Sequence, residues 1–131
     1  QKENIEKIYK DYIFEKTVDG QLNYYSKKDY SYAYILAGSG FWGPIEALLG
    51  LTYDQQTIKG FYVLEQEETP GLGGRISEEN FQKQFIGKSI KPKLSFVPAG
   101  TSKGDPNKVD AITGATMTSR ALEKIINMGP K

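Results

Sequence analysis

The run Thr113-Gly114-Ala115-Thr116 gathers residue types suited to receiving a phosphate: two hydroxyls around a Gly-Ala pair, directly ahead of a stretch with helical periodicity. Small residues let the backbone approach a ligand closely. The first N–H groups of a helix lack an intrahelical acceptor, and the helix dipole adds partial positive charge at that end. A phosphate is a natural guest there. Thr113, Thr116, Thr118 and Ser119 would add hydroxyl donors. Local physics keeps a second reading open, in which Thr113 or Thr116 is an N-cap worth about 1 kcal/mol. Two absences narrow the chemistry. The chain has no cysteine, which excludes disulfides, iron–sulfur ligation and thiolate metal sites, and no histidine, which removes the commonest general base and metal ligand. Both argue against a stand-alone hydrolase and against a zinc or haem site. A carboxylate-only site stays possible, but no metal site and no catalytic residue is expected.

The elements that must position this run can be read along the chain. Its 131 residues fit one domain, 1–131. Such a length buries roughly two thirds of the surface that the unfolded chain exposes. Seventeen basic and sixteen acidic residues nearly cancel, giving +1, and Lys-rich stretches alternate with acids. A solvated mixed surface is expected, with no nucleic-acid partner. No apolar run is long enough to span a bilayer and no signal peptide is visible. The chain starts at Gln1 rather than Met, so a membrane segment upstream of it is an expectation.

Within the N-terminal part, 1–18, residues 3–16 have a helical spacing of Ile5, Ile8, Tyr9, Tyr12 and Ile13, ending before the turn pair Asp19-Gly20. From about Leu22 to Leu64 the pattern is β. Tyr30 to Leu36 alternates, and Gly38-Ser39-Gly40 interrupts. Ile45–Thr52 and Thr57–Leu64 flank Asp54-Gln55-Gln56 as an antiparallel hairpin, with Glu46 on the solvent face. Tyrosines 24, 25, 30, 32 and 34 read as sheet-face packing. Glu65 to Arg75 is an acidic, glycine-rich loop. Ser77 looks like the N-cap of a helix from Glu78 to about Ile86 that places Phe81 and Phe85 on one face and ends at Gly87. Residues 91–108 suggest a short strand near Leu94–Val97 within an exposed loop. The last helix should run from about Thr116 to Asn127, packing through Ala121, Leu122, Ile125 and Ile126 and ending at Gly129-Pro130. The fold class is α+β, with a mostly antiparallel sheet and packed helices.

Asp110-Ala-Ile-Thr-Gly-Ala-Thr116 resembles the flavinylation motif of FMN-binding domains, Asp-x-x-Ser/Thr-Gly-Ala-Thr/Ser, at every fixed position. Glu68-Thr-Pro-Gly-Leu-Gly-Gly74 resembles the Glu-Thr-Pro-Gly-Leu-Gly loop of the same family, and Gly40-Phe-Trp-Gly-Pro-Ile45 its Gly-x-x-Gly-Pro-Ile segment. The three occur in the family's order, and the resemblance spans roughly residues 30–127. Gly-Pro-Ile, the run Gln84 to Ser89 and the motif itself lean toward the G subunit of Rnf electron-transport complexes. The C subunit of sodium-translocating NADH:quinone reductases is the near relative.

The resemblance implies the fold of that family and a covalent FMN, held as a phosphoester on Thr116, with Asp110, Thr113, Gly114, Ala115 and Thr118 around it. It implies that Glu68, Thr69, Gly71, Leu72 and Gly73 lie close to the flavin; such a loop can offer backbone N–H groups to the ring and Leu72 to its face, though by itself it reads as a tight turn. Trp42 would border the isoalloxazine, or be an ordinary core residue. Arg120, four residues past Thr116, could pair with Asp110, approach the phosphate or stay on the surface. The implied partners are other subunits of a membrane electron-transport complex and, during maturation, a flavin transferase that draws on FAD. The implied location is the extracytoplasmic face of a bacterial or archaeal membrane, anchored by an N-terminal transmembrane helix that this chain lacks. A reversible phosphate-binding domain and a flavin-free scaffold of the same fold are the alternatives.

Overall fold

The computed structural model describes residues 14–18, 21–25 and 30–129. Among them, five strands form one antiparallel sheet in sequence order: β1 (Phe14–Val18), β2 (Gln21–Tyr25), β3 (Tyr32–Ser39), β4 (Pro44–Leu51) and β5 (Ile58–Glu65). A 3-10 turn at Gly73–Ser77, a short helix α1 (Glu79–Gln82) and a second 3-10 turn at Lys83–Phe85 follow. Strands β6 (Ser95–Val97) and β7 (Lys108–Asp110) pair in parallel, and α2 (Thr116–Met128) ends the described chain. The α+β expectation holds, with this small parallel ladder as an addition to it.

The β4–β5 hairpin forms as its alternation predicts, with Leu49 opposite Phe61 and Ala47 opposite Val63. The helix expected over 3–16 does not reach its end: Phe14–Val18 is a strand paired with β2 through Val18 and Gln21. Phe14 and Val18 suit either period, and so short a window does not decide between them. Residues 3–13 and the Asp19-Gly20 pair lie outside the described residues. Strand β3 runs through Gly38 rather than stopping there. A Cβ at Gly38 would sit 2.6 Å from Ile125 Cγ1, so the missing side chain is what lets α2 lie on β3.

One sheet face carries the main core. Leu36, Ile45, Leu49, Phe61 and Val63 meet Ile76, Phe85, Leu94, Phe96, Val109, Leu122 and Ile125, all buried. Phe85 stacks on Phe61 at 4.3 Å and meets Phe81 edge-on at 5.3 Å. Each such ring or aliphatic chain contributes about 1.5–3 kcal/mol by leaving water. Ala33 and Leu48 are buried on the opposite face, where Glu46 is half-buried. Tyr34 packs in the core as expected, whereas Tyr30 is exposed at the head of β3 against Tyr53.

The segment after Ser77 departs from the expected helix. The N-cap of α1 is Glu78, without a side-chain cap bond, and the turn tightens to 3-10 at Lys83. Phe81 and Phe85 are both buried, so the expected face survives the change of helix type. Helix α2 ties down β6 through side chains: Asn127 exchanges two hydrogen bonds with Leu94, and Glu123 Oε2 accepts the Phe96 N–H at 2.7 Å. These bonds and the Gly38 contact hold the second half of α2 against β3 and the start of β6.

Candidate functional site

Helix α2 opens at Thr116, with Ala115 as its N-cap and no side-chain cap bond. The N-cap reading of Thr113 and Thr116 therefore fails. Both residues are exposed, and the Thr116 hydroxyl has no hydrogen-bond partner among the described residues. The preceding turn is held from within. Ala115 N–H donates to Ile112 O at 3.1 Å, the buried Ser119 hydroxyl accepts the Ile112 N–H at 3.2 Å, and Gly114 supplies a φ of 79°. Ser119 N–H closes the first helical bond to Ala115 O. The N–H groups of Thr116, Met117 and Thr118 remain as the unpaired donors of the first turn.

Successive helical side chains rotate by about 100°, so Thr118 points elsewhere than Thr116. Its side chain is buried, and its hydroxyl donates to Glu68 Oε1 at 2.7 Å. The expectation that the Thr118 hydroxyl donates to a phosphate is corrected: its proton is committed to a carboxylate inside the protein. Glu68, only 4% exposed, also accepts the Phe41 N–H on Oε1 at 2.8 Å and the Trp42 N–H on Oε2 at 2.9 Å. Burial works against its ionisation. The hydrogen bonds from Thr118, Trp42, Phe41 and Gly43 outweigh it and hold the carboxyl below its ordinary range.

The Glu68 loop is rigid for a local reason. Thr69 O accepts from Leu72 N–H at 3.0 Å and Gly74 N–H at 2.9 Å, closing a turn with Pro70 second and Gly71 third at φ 77°. Glu68 N–H donates to Gln66 Oε1. The N–H groups of Glu68, Leu72 and Gly74 are thus engaged internally rather than offered to a ring, which corrects that expectation for these three. Leu72 is exposed, and a Cβ on Gly114 would lie 3.4 Å from its Cδ2, so it sits over the turn that leads into Thr116. Gly73 packs tightly against Glu68 and Thr118. Trp42 is 67% exposed, which excludes the core reading, and its ring meets Phe41 edge-on at 4.8 Å. Phe41, Leu72 and Met117 are exposed as well, an unusual display of large apolar side chains.

The Asp110 side chain turns to the Gly100–Ser102 segment. Its Oδ1 accepts the Ser102 N–H at 3.0 Å. Against the opposing effect of burial, Ser102, Gly100 and Thr101 lower its pKa. Its backbone N–H and C=O are both held by the Gln84 amide, at 2.8 and 3.1 Å. Asp110 therefore organises the approach to the motif. Arg120 pairs with Glu123 at 3.2 Å, not with Asp110. A cleft of about 320 Å³ opens on the Thr113 side, lined in part by Arg75, Asn80, Gln84, Asp110 and Thr113. Gln84 and Ser119 were missed as supports. The only sequence signal was that Gln84 belongs to one of the resembling runs. Among the described residues no cluster of three or more acidic, His or Cys side chains could hold a metal, and no helix is long and apolar enough to cross a membrane.

The family model described as an FMN-binding domain matches residues 40–129. The chain is 35% identical over 91 residues to the C subunit of the Na(+)-translocating NADH-quinone reductase of Vibrio vulnificus (strain YJ016), which covers 66% of this chain and 36% of the relative. It is 41% identical over 90 residues to the G subunit of the Na(+)-translocating ferredoxin:NAD(+) oxidoreductase complex of Acetobacterium woodii, covering 69% and 42%. The chain thus spans well under half the length of these relatives. The crystal structure of Shewanella oneidensis NqrC superposes with a TM-score of 0.77 at 26% identity, covering 91% of this chain and 65% of that one. The crystal structure of the corresponding quinone-reductase protein from Parabacteroides distasonis gives 0.65 at 34% identity, covering 88% and 56%.

Proposed function

The chain belongs to the FMN-binding domain family, and from that premise we propose that it carries FMN as a phosphoester on the Thr116 hydroxyl. The single observation behind this reading is the state of Thr116: exposed, at the first position of a 13-residue helix, with no protein partner for its hydroxyl among the described residues. A phosphate bonded there would meet the unpaired N–H groups of the first turn and the positive end of the helix dipole. The residues around it fit a flavin. Leu72 overhangs the turn, and the exposed Phe41, Trp42 and Met117 supply apolar surface of the kind that borders a ring. When bound, the flavin supplies the redox chemistry. This chain tethers the group and limits its motion.

Among the described residues no hydrogen bond joins the Thr116 hydroxyl to a base. The chain has no histidine, and the Asp110 carboxylate is engaged by the Gly100–Ser102 backbone. Activation therefore comes from a transferase: the Thr116 oxygen bonds to the flavin-side phosphorus of FAD as the P–O–P link breaks, with AMP leaving and the hydroxyl proton passing to the transferase. The loaded domain serves one-electron transfer within a membrane-bound, ion-translocating complex, on its extracytoplasmic side. The higher identity to the ferredoxin:NAD(+) oxidoreductase relative than to the quinone-reductase one favours an Rnf-type complex.

The test is coexpression with a flavin transferase in an exporting host. Flavin fluorescence should stay with the chain on a denaturing gel and vanish in Thr116→Ala. A wild-type chain without fluorescence and without an FMN-sized mass increase sinks the reading. A ligand seen only in a native mass spectrum would indicate reversible binding, and none at all a scaffold.

A further inference from the structure

We propose that Glu68 is a positioning residue for the flavin, acting through the aromatic loop rather than by touching the cofactor. This rests on the reading of Thr116 as the tether. Glu68 joins three segments that are distant in sequence: the Gly40–Gly43 connection through Phe41 and Trp42 N–H, its own loop, and the first turn of α2 through Thr118. Thr118 lies 50 residues from Glu68, and Phe41 lies 27 residues on the other side. The carboxylate therefore sets the distance between the exposed Phe41–Trp42 pair and the helix start that bears Thr116. Gly73, whose missing Cβ leaves room for the Thr118 hydroxyl, closes the same junction.

The ionised side chain is required by the chemistry of its partners. All of its partners donate, and three of them, Phe41, Trp42 and Gly43, are backbone N–H groups that cannot become acceptors. An amide has one oxygen. In E68Q either the Phe41 or the Trp42 N–H must face an NH2 group, and an unpaired donor at this site releases one end of the loop. A fixed negative charge beside the tether also disfavours adding electrons to a nearby group, so the same carboxylate lowers the flavin's potential.

Trp42 is the single tryptophan, so its emission reports on this loop alone, with or without cofactor. In the flavin-free chain, time-resolved anisotropy should show the fast-motion amplitude of Trp42 rising about twofold in E68Q. It should rise less in T118V and match wild type in T118S, which keeps the hydroxyl. In the transferase-loaded chain, E68Q should lose about half of the visible circular dichroism of the flavin and move its midpoint potential positive. T118V, which keeps the charge, should move the potential less. Unchanged Trp42 motion in E68Q overturns the coupling. Freed Trp42 with wild-type flavin dichroism and potential overturns the positioning role and leaves Glu68 purely structural. A wild-type chain that accepts no flavin sinks the tether reading and this one with it. The Trp42 measurement needs no flavin, so the two failures are told apart.

Discussion

Gly73→Ala distinguishes close packing from backbone strain in the loop that carries Glu68. Gly73 does not have the positive φ that makes glycine necessary, whereas Gly71, two residues earlier, sits at φ 77° in open space. A methyl on Gly73 would overlap the Thr118 hydroxyl and stand 2.9 Å from Glu68 Cβ and 3.0 Å from Thr118 Cβ. The hydrogen bond from Thr118 to the carboxylate must then break or the loop must move. Losing a hydrogen bond to a charged group costs about 1.5–3 kcal/mol and forcing a methyl into a packed junction about 1–3, so roughly 3 kcal/mol is expected. In a chain of this size that is a fall in Tm of about 10 °C. Gly71→Ala incurs only the cost of the left-handed backbone, about 1–2 kcal/mol. Urea unfolding of both variants, and of Gly73→Ala with Thr118→Ala, measures this directly. The double variant removes the overlapping oxygen and should be less destabilised than the sum of its parts by about 1 kcal/mol. A Gly73→Ala chain within about 0.5 kcal/mol of wild type, or strict additivity with Thr118→Ala, would refute the packing described here.

Other perturbations separate the scaffold from the site. Gly38→Ala should cost about 1–3 kcal/mol by pushing Ile125 off β3, with flavin loading retained in the folded fraction; calorimetry beside gel fluorescence checks both. Thr116→Ala should abolish covalent loading yet leave stability within about 0.5 kcal/mol, because the hydroxyl has no partner among the described residues. Glu68 and Asp110 both titrate below their ordinary values of 4.5 and 3.8 in the folded chain. The unfolded chain therefore takes up their protons first as pH falls. Their stabilisation should be complete above about pH 5.5 and fade as pH drops through the ordinary values toward the folded ones. Scanning calorimetry against pH should show a flat Tm from neutrality to that point and a decline below it, shallower in E68Q. A decline of equal slope in E68Q would remove Glu68 from the explanation.

The contiguous parts of the site could be read from sequence and the long-range parts could not. Thr113 through Thr116 announces a helix start because a Gly-Ala step, hydroxyls and the spacing of Leu122, Ile125 and Ile126 lie within one stretch. Strands β3 to β5 are visible for a similar reason: side-chain alternation is local, and an antiparallel sheet in sequence order needs no crossover. The N-terminal strand is hidden for a local reason as well, since Ile5 to Ile13 carries a helical period and no breaker separates it from Phe14–Val18. The orientations of Thr118 and Asp110 are not legible in this way. Their types suit a phosphate site, but residue type does not say which way a side chain points. Thr118 sits two positions, about 200° of helix, past Thr116. Asp110 is turned by a loop whose fold depends on Gln84, 26 residues away. The motif residues thus divide into those that face outward and those that hold the outward ones still. That division makes a prediction about tolerance. Thr118→Ser should preserve the site because it keeps the donor to Glu68. Thr118→Val should loosen it although Thr118 is buried and valine fills the same volume, and the size of that loss measures how far the site depends on a hydroxyl bonded to Glu68.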